Sequence, residues 1–351
     1  MKIHEKYISR AIELGRNAMG TAAPNPMVGC VIVCEGKIIA EGYTSPYGGP
    51  HAEVNAINTV SDPSVLSRST LYVTLEPCSH YGKTPPCADL IRKLKIPRVV
   101  IGLKDPYEQV AGRGIEHLKE GGAEVISGIL EQECREHHKR FLCFHEEKRP
   151  YIILKWAQTL DGFMAPDKKA RTKDPSPYWI TGKSSRQLVH QWRSQEQAIL
   201  VGTNTVLEDN PRLDVRDWHG RSPTRIFLDP ELRIDGEYHV LQPPPLTFRV
   251  TKKGISTRET DLLKHWTIDF DKDIALQLCE LMYGENINSV IVEGGARTLE
   301  AFIQAGLWDE ARVFTGTTRF GTGLKAPEIK GKIIRESKIG TDHLKIVRND
   351  Q

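Results

Sequence analysis

Apolar residues recur at helical spacing over residues 4–19, where Ile8, Ala11, Ile12 and Leu14 mark one face. Met27–Cys34 and Lys37–Glu41 read as two strands turned at Glu35-Gly36. Thereafter helix and strand alternate: helix His51–Thr59, strand Thr70–Thr74, helix Cys87–Leu94, strand Arg98–Gly102, helix Gly114–Glu120 and strand Glu124–Ser127. Strands joined by crossover helices predict a three-layer α/β/α sandwich. A polar, His-rich helix is predicted over Glu131–Phe144, followed by a charged run closed by Pro150 that reads as a linker. Alternation then restarts. Strands are predicted at Tyr151–Trp156, Ala198–Gly202, Arg225–Asp229, Leu246–Thr251, Ser289–Glu293 and Glu310–Gly316. Helices fall at Ser184–Arg193, Asp273–Tyr283 and Thr298–Ala305, and Pro243-Pro244-Pro245 marks a loop. The pattern predicts two α/β domains, 1–147 and 148–351, without internal repeat or low-complexity tract.

Composition sharpens this picture. With 351 residues, 39% apolar and 26% charged, the chain has the make-up of an ordinary globular protein, which excludes disorder, collagen and coiled coil. The net charge of +3 comes from 48 basic and 45 acidic residues mixed along the chain, so no basic stripe points to nucleic acid. The start, MKIHEKYISRAIELG, contains acids and reads as an amphipathic helix rather than a signal peptide. Apolar runs such as Val28–Cys34 fall far short of the ~20 residues of a membrane span. Seven cysteines without an export signal predict a reducing cytoplasm, with any special thiols serving metal or catalysis.

His51-Ala52-Glu53 opens a predicted helix, Glu76-Pro77-Cys78 follows a strand, and Pro85-Pro86-Cys87 opens another helix. One His and two Cys are the ligand set of a catalytic Zn²⁺ that keeps its fourth position for water. The cysteines must be thiolates, and helix starts lower a thiol pKa. Zinc would bring its water toward pKa ~7, and Glu53 is near enough to move protons without being a ligand. Zinc deaminases of nucleobases divide the labour in this way under an H-x-E…P-C-x-x-C signature. The spacing here is C-x₈-C, so that pattern is met in part. Cys30 and Cys34 lie on one apolar strand and read as core. Cys134, His137, His138, Cys143 and His145 lack the Cys-x₂₋₄-Cys pairing of structural zinc sites, and the charges around them predict a solvated face.

Three stretches carry a resemblance. They are Ala23-Pro24-Asn25-Pro26-Met27-Val28-Gly29, His51-Ala52-Glu53, and the run from Glu76-Pro77-Cys78-Ser79-His80-Tyr81-Gly82-Lys83 to Thr84-Pro85-Pro86-Cys87. Together they resemble the deaminase half of the bifunctional riboflavin-biosynthesis deaminase–reductases, whose insert accounts for the cysteine spacing. The resemblance implies a cytidine-deaminase-like first domain with one zinc per chain. It implies that His51, Cys78 and Cys87 hold the metal and that Glu53 is catalytic. It also implies that Asn25, His80 and Lys83 touch the substrate. Asn25 between two prolines would equally suit a turn.

In the second half, Val290–Glu293, Gly294-Gly295 and Ala296-Arg297-Thr298-Leu299 read as strand, glycine turn and helix. Such a turn lets backbone approach a phosphate, and the helix start welcomes its charge. It is neither G-x-G-x-x-G nor a P-loop, and alone it can be only a turn. Together with the segments Leu154–Gly162, Trp179-Ile180-Thr181 and Gly202–Leu213, it resembles the family's reductase domain, which is dihydrofolate-reductase-like and uses NADPH. The resemblance then implies cofactor contacts at Ala157, Trp179, Thr205, Asp209, Gly294, Gly295, Ala296, Arg297, Thr298 and Leu299. It implies substrate contacts at Lys155, Arg193, Leu213, Arg216 and Glu293. Arginine forks suit a ribose 5-phosphate, so Arg193 and Arg216 are expected to clamp it. One departure stands out: Pro177 occupies the place of a family serine two residues before Trp179, so either Ser176 substitutes by a local shift or one substrate contact is missing.

The resulting expectation is a cytoplasmic, homo-oligomeric enzyme acting on small phosphoribosylaminopyrimidines, without nucleic-acid or membrane partners. Two alternatives are a nucleic-acid-editing deaminase and a deaminase whose second domain is not catalytic.

Overall fold

The computed structural model describes residues 2–79, 81, 85–106, 112–167 and 177–350. The chain forms two compact units, Met1–Lys148 and Arg149–Gln351.

The first unit is built on a five-stranded sheet of order β2-β1-β3-β4-β5. Its strands are β1 (Gly29–Cys34), β2 (Lys37–Tyr43), β3 (Thr70–Leu75), β4 (Arg98–Leu103) and β5 (Glu124–Ser127). β1 runs antiparallel to β2 and β3, while β3, β4 and β5 are parallel. The helices are α1 (Lys2–Gly15), α2 (Ala52–Asn58), α3 (Cys87–Lys93), α4 (Arg113–Glu120), α5 (Glu131–His137) and α6 (Lys139–Glu146). Two glycines show how the layers form. Cys30 pairs with Gly42 across the sheet, so Gly42 and Gly29 point to opposite faces. A methyl on Gly29 would run into the Ala11 carbonyl of α1, and one on Gly42 into the backbone of Ala52 and Ala56 in α2. Helices therefore lie against both faces, all six β1 residues are buried, and the sandwich has the expected three layers. Cys30 and Cys34 are buried, as expected of core residues.

Two expectations need correction. The first helix ends at Gly15 and is followed by a 3₁₀ turn over Arg16–Ala18. The long polar helix of 131–144 is two helices broken at His138. Nor is its His/Cys face solvated: Cys134, His137, His138 and Cys143 are all buried. Its charged residues occupy the other side, which composition alone does not separate from the buried one.

The second unit has a nine-stranded sheet of order β11-β10-β9-β8-β12-β6-β13-β16-β15. The strands are β6 (Tyr151–Gln158), β8 (Ala198–Val201), β9 (Thr224–Leu228), β10 (Thr247–Lys252), β11 (Leu263–Ile268), β12 (Ser289–Glu293), β13 (Glu310–Thr315), β15 (Lys332–Ile339) and β16 (Asp342–Arg348). β7 (Phe163–Pro166) and β14 (Gly323–Lys325) pair separately. Helices α7 (Lys183–Gln195), α8 (Thr203–Asp209), α9 (Ile274–Gly284) and α10 (Ala296–Gln304) make the crossovers. The strands from β11 through β13 run parallel, and β16 and β15 close the edge antiparallel. Alternate residues feed two cores: Ala198 and Leu200 join one apolar cluster, Ile199 and Val201 the other. Both faces of β8 are thus covered, which explains its continuous apolar run. Among the described residues no helix is long and apolar enough to cross a membrane.

Candidate active sites

In the first unit the starts of α2 and α3 meet beyond the end of β3. His51 sits at the N-cap of α2 in extended conformation, and Cys87 is the first residue of α3. His51 Nδ1 lies 3.6 Å from Cys78 Sγ and 3.3 Å from Cys87 Sγ. The three donor atoms all fall within 4.8 Å of one another. Donors about 2.0–2.3 Å from a tetrahedral ion stand about 3.5 Å apart, so the cluster fits zinc in both chemistry and spacing. The Cys87 amide donates to Cys78 Sγ at 3.3 Å. Hydrogen bonding from Cys87, then from His51, pulls the Cys78 thiol pKa down against burial, while Cys87 is pushed up. Cys78 is thereby ready as a thiolate before any metal arrives.

Glu53, in the first turn of α2, is 3% exposed. Burial, then the Cys78 charge, raises its carboxyl to about 7, and His51 only partly offsets this. A carboxyl so tuned can take and return a proton near neutrality. Asn25 is half-buried in the turn before β1, its N–H bonded to Ala22 O at 3.0 Å. His80 and Lys83 lie outside the described residues.

Two residues that sequence reasoning passed over organise this site. Glu76 is buried, and its carboxylate accepts the amides of Asp105 (3.2 Å), Gly112 (3.0 Å) and Ile115 (3.1 Å). It thus caps α4 from the strand that leads to Cys78. Asn55, one turn beyond His51, donates to Tyr43 O at 2.7 Å and Ser45 Oγ at 2.9 Å, fixing the loop that enters α2. Glu76 stood inside a quoted motif and Asn55 four residues after the ligand, but neither had a sequence signal for its partners.

The second unit holds a cavity of about 950 Å³ at the C-terminal ends of β6, β8, β9 and β12. In open parallel sheets that end is where ligands bind. Of the expected cofactor residues, Ala157, Trp179, Thr205 and Asp209 line it, as does the run Gly294 to Thr298. Leu299 does not: it is fully buried in the core. Lys155, Arg193, Leu213, Arg216 and Glu293 line the same cavity. Gly294 and Gly295 have φ of +77° and +76°, a region closed to most residues. A methyl on Gly295 would stand 3.1 Å from Thr205 Oγ1 and 3.4 Å from Thr298 Oγ1. The glycine turn is thus a tight cradle beneath the start of α10, whose first amides lack intrahelical acceptors. Cradle and cavity fit a nicotinamide dinucleotide's phosphates.

The arginines differ from expectation. Arg193 gives Nε and Nη2 to the two oxygens of Glu293, each at 2.8 Å, and Nη1 to Asp214 O at 3.2 Å. Its fork is occupied, and Lys155 Nζ lies 3.5 Å from the same carboxylate. Arg216 is more open, bonded through Nη1 to Asp214 at 2.6 Å. Arg186 stacks over exposed Trp179, 4.5 Å from the ring centroid. Asp342 on β16 accepts from Gly182 N at 2.8 Å and Ser185 Oγ at 2.5 Å, capping α7 just after Trp179-Ile180-Thr181. Pro177 lines the cavity, and Ser176 lies outside the described residues.

Comparison with known proteins agrees with both halves. The cytidine and deoxycytidylate deaminase zinc-binding region matches residues 1–103, and the RibD C-terminal domain matches residues 150–342. The riboflavin biosynthesis protein RibD of Aquifex aeolicus is 40% identical over 96% of this chain and 93% of its own length. That of Escherichia coli is 35% identical over 96% and 97%. A solved diaminohydroxyphosphoribosylaminopyrimidine deaminase/5-amino-6-(5-phosphoribosylamino)uracil reductase from Thermotoga maritima superposes with TM-score 0.87 at 36% identity, covering 99% of both chains. Acinetobacter baumannii RibD superposes at 0.88 with 31% identity, covering 100% of this chain and 99% of its own. With a zinc-fitting His/Cys/Cys cluster in one unit and a dinucleotide-fitting cradle in the other, the chain belongs to the family of bifunctional riboflavin-biosynthesis deaminase–reductases.

Proposed function

We propose that residues 1–147 deaminate 2,5-diamino-6-(5-phosphoribosylamino)pyrimidin-4-one and that residues 148–351 reduce the resulting 5-amino-6-(5-phosphoribosylamino)uracil to its ribitylamino product. The observation carrying the first assignment is the meeting of His51, Cys78 and Cys87 beside buried Glu53. These three residues would hold zinc, which supplies Lewis acidity that brings water within reach of ionisation near neutral pH. Glu53 Oε accepts one proton of the attacking water and passes it to a ring nitrogen, then accepts the second from the resulting hydroxyl and passes it to the departing amine. Water and the C–NH₂ bond are consumed; a ring carbonyl and ammonia are formed. Asn25 holds the pyrimidine, and the family resemblance assigns His80 and Lys83 to the substrate as well.

In the second unit the cavity residues would hold NADPH, which would supply the hydride for C1 of the ring-opened ribose, with the proton for the carbonyl oxygen coming from solvent. The glycine cradle and the start of α10 hold its phosphates, and Trp179, Thr205, Asp209 and Ala157 line its path. Lys155, with its ammonium pKa pulled down by burial, is suited to hold the sugar oxygen. With Arg193 engaged by Glu293, Arg216 carries the main contact to the ribose phosphate, and Leu213 closes the wall. Orientation of hydride and carbonyl can supply much of the acceleration, up to about 7–11 kcal/mol. The substrates are free small molecules rather than nucleic acid, which the near balance of 48 basic and 45 acidic residues supports. The same reading has the enzyme cytoplasmic and homo-oligomeric.

The test is metal analysis of the purified chain together with ammonia release from the diaminopyrimidine and NADPH oxidation with the deaminated product. One zinc per chain and both turnovers are expected. Cys87→Ala is expected to lose zinc and ammonia release while NADPH oxidation persists. A wild-type chain that retains no zinc, or a Cys87→Ala variant that still deaminates, would overturn the metal assignment.

A further inference from the structure

The break between α5 and α6 turns two imidazoles toward the loops of the first site. His138 leaves the helix at φ −93°, ψ 10°, and its ring meets that of His137 edge-on, with centroids 4.7 Å apart at 73°. His137 Nε2 lies 2.6 Å from the carbonyl oxygen of Met27. A carbonyl only accepts, so Nε2 carries the ring proton and donates it. Burial pushes the His137 pKa down to about 4, which keeps the ring neutral. His138 Nε2 is 3.0 Å from Thr74 Oγ1, and that hydroxyl also accepts the Gly29 amide at 3.2 Å. The break therefore grips both the start of β1 and the end of β3, four residues before Cys78.

Among the described residues, the ring of His137 is the group bonded to the Met27 carbonyl, and its neighbours are tied differently. Thr44 Oγ1 accepts from Val28 N and donates to Pro26 O, each at 3.0 Å. Pro26 and Val28 are thus tied from one side and Met27 from the other. The closeness of the tie is visible at Gly15, where a methyl would stand 2.5 Å from Met27 O and 2.6 Å from His137 Nε2. The stretch held in this way begins at Pro26, the residue that follows Asn25.

We propose that His137 is a positioning residue for deamination: its Nε2–H fixes the Met27 carbonyl and, through Pro26, the place from which Asn25 meets the pyrimidine. The proposal rests on the reading of Asn25 as a substrate contact. Its effect is on binding, because the loop carries neither the metal donors nor Glu53.

Full-length, zinc-loaded His137→Leu and His137→Gln variants test it, with Asn25→Ala and the Asn25→Ala/His137→Leu double variant beside them. Leucine removes the donor at similar bulk, whereas glutamine restores an N–H at comparable reach. His137→Leu is expected to raise the deaminase KM about tenfold, the size of one lost hydrogen bond, with kcat, zinc content and NADPH oxidation unchanged. His137→Gln should recover most of the wild-type KM. The double variant should be no worse than Asn25→Ala, since both act through one contact. If Asn25→Ala raises KM but His137→Leu does not, the positioning role is wrong. Equal impairment by leucine and glutamine would make the effect one of packing and overturn it too. An Asn25→Ala variant with unchanged KM would remove the Asn25 reading and the proposal together. If leucine prevents folding, His137→Asn, whose amide is one carbon too short, takes its place.

Discussion

Glu53→Gln is expected to keep one zinc per chain and to lose ammonia release by at least ~10²-fold, the reach of a general acid–base. Glutamine preserves the size of the buried side chain and one acceptor oxygen but cannot take up a proton. Glu53 belongs to no donor set, since the metal cluster is His51, Cys78 and Cys87 alone among the described residues. The carboxyl stands at about 7 in the metal-free chain because burial and the Cys78 charge disfavour its anion. A dication beside it favours the anion and lowers that value. The wild-type rate should therefore fall with acid on a limb centred below pH 7, and the variant's residual rate should lack that limb. NADPH oxidation by the other unit is unaffected. Metal analysis with ammonia release across pH checks this, and undiminished turnover would take Glu53 out of the chemistry.

Glu293→Leu is expected to cost about 3–5 kcal/mol of stability, the penalty of leaving buried charge without its partner. Two cations depend on this carboxylate: Arg193 by two bonds of 2.8 Å and Lys155 at 3.5 Å. Side-chain exposures of 8%, 11% and 17% for Glu293, Arg193 and Lys155 leave little water to take over. Burial alone pushes the Glu293 pKa up, yet Arg193 and then Lys155 outweigh it and hold the group at about 2. The sign follows from linkage. A depressed carboxyl contributes stability above its unfolded pKa of about 4.3, and that contribution is lost as pH falls toward 2. The wild type should accordingly weaken over that acid range, while Glu293→Leu, already weakened, should change less. Reductase turnover should vanish with the variant, because Lys155 and Arg193 would lose their orientation. Denaturant unfolding at pH 7 and pH 3 measures both effects; a variant as stable as wild type would show the triad to be dispensable.

Much of this was legible in the chain. Continuous apolar runs such as Val290–Val292 and Ala198–Val201 marked buried strands, because burial on both faces leaves no polar alternation. The metal donors were legible because zinc chemistry restricts residue type. What escaped was set by tertiary contacts. α8 is rich in Thr, Asn and Asp, poor helix formers whose segment reads as a polar turn. β15 is exposed along almost its whole length, so no apolar stripe marks it. The break at His138 leaves the amphipathic period intact on either side. The pairing of Arg193 with Glu293 joins residues 100 positions apart, and an isolated arginine gives no hint of it.

The cap that Asp342 places on α7 has a temporal side. Every donor of the metal centre, and every strand of the sheet beneath it, lies before residue 149. The second sheet is the reverse case: β6 opens it, but β13 finds its outer neighbour only in β16. Translation from the N-terminus thus delivers a complete zinc scaffold some two hundred residues before α7 meets the acceptor for its N-cap amide, that of Gly182, so the catalyst of the earlier chemical step is also the first to be made.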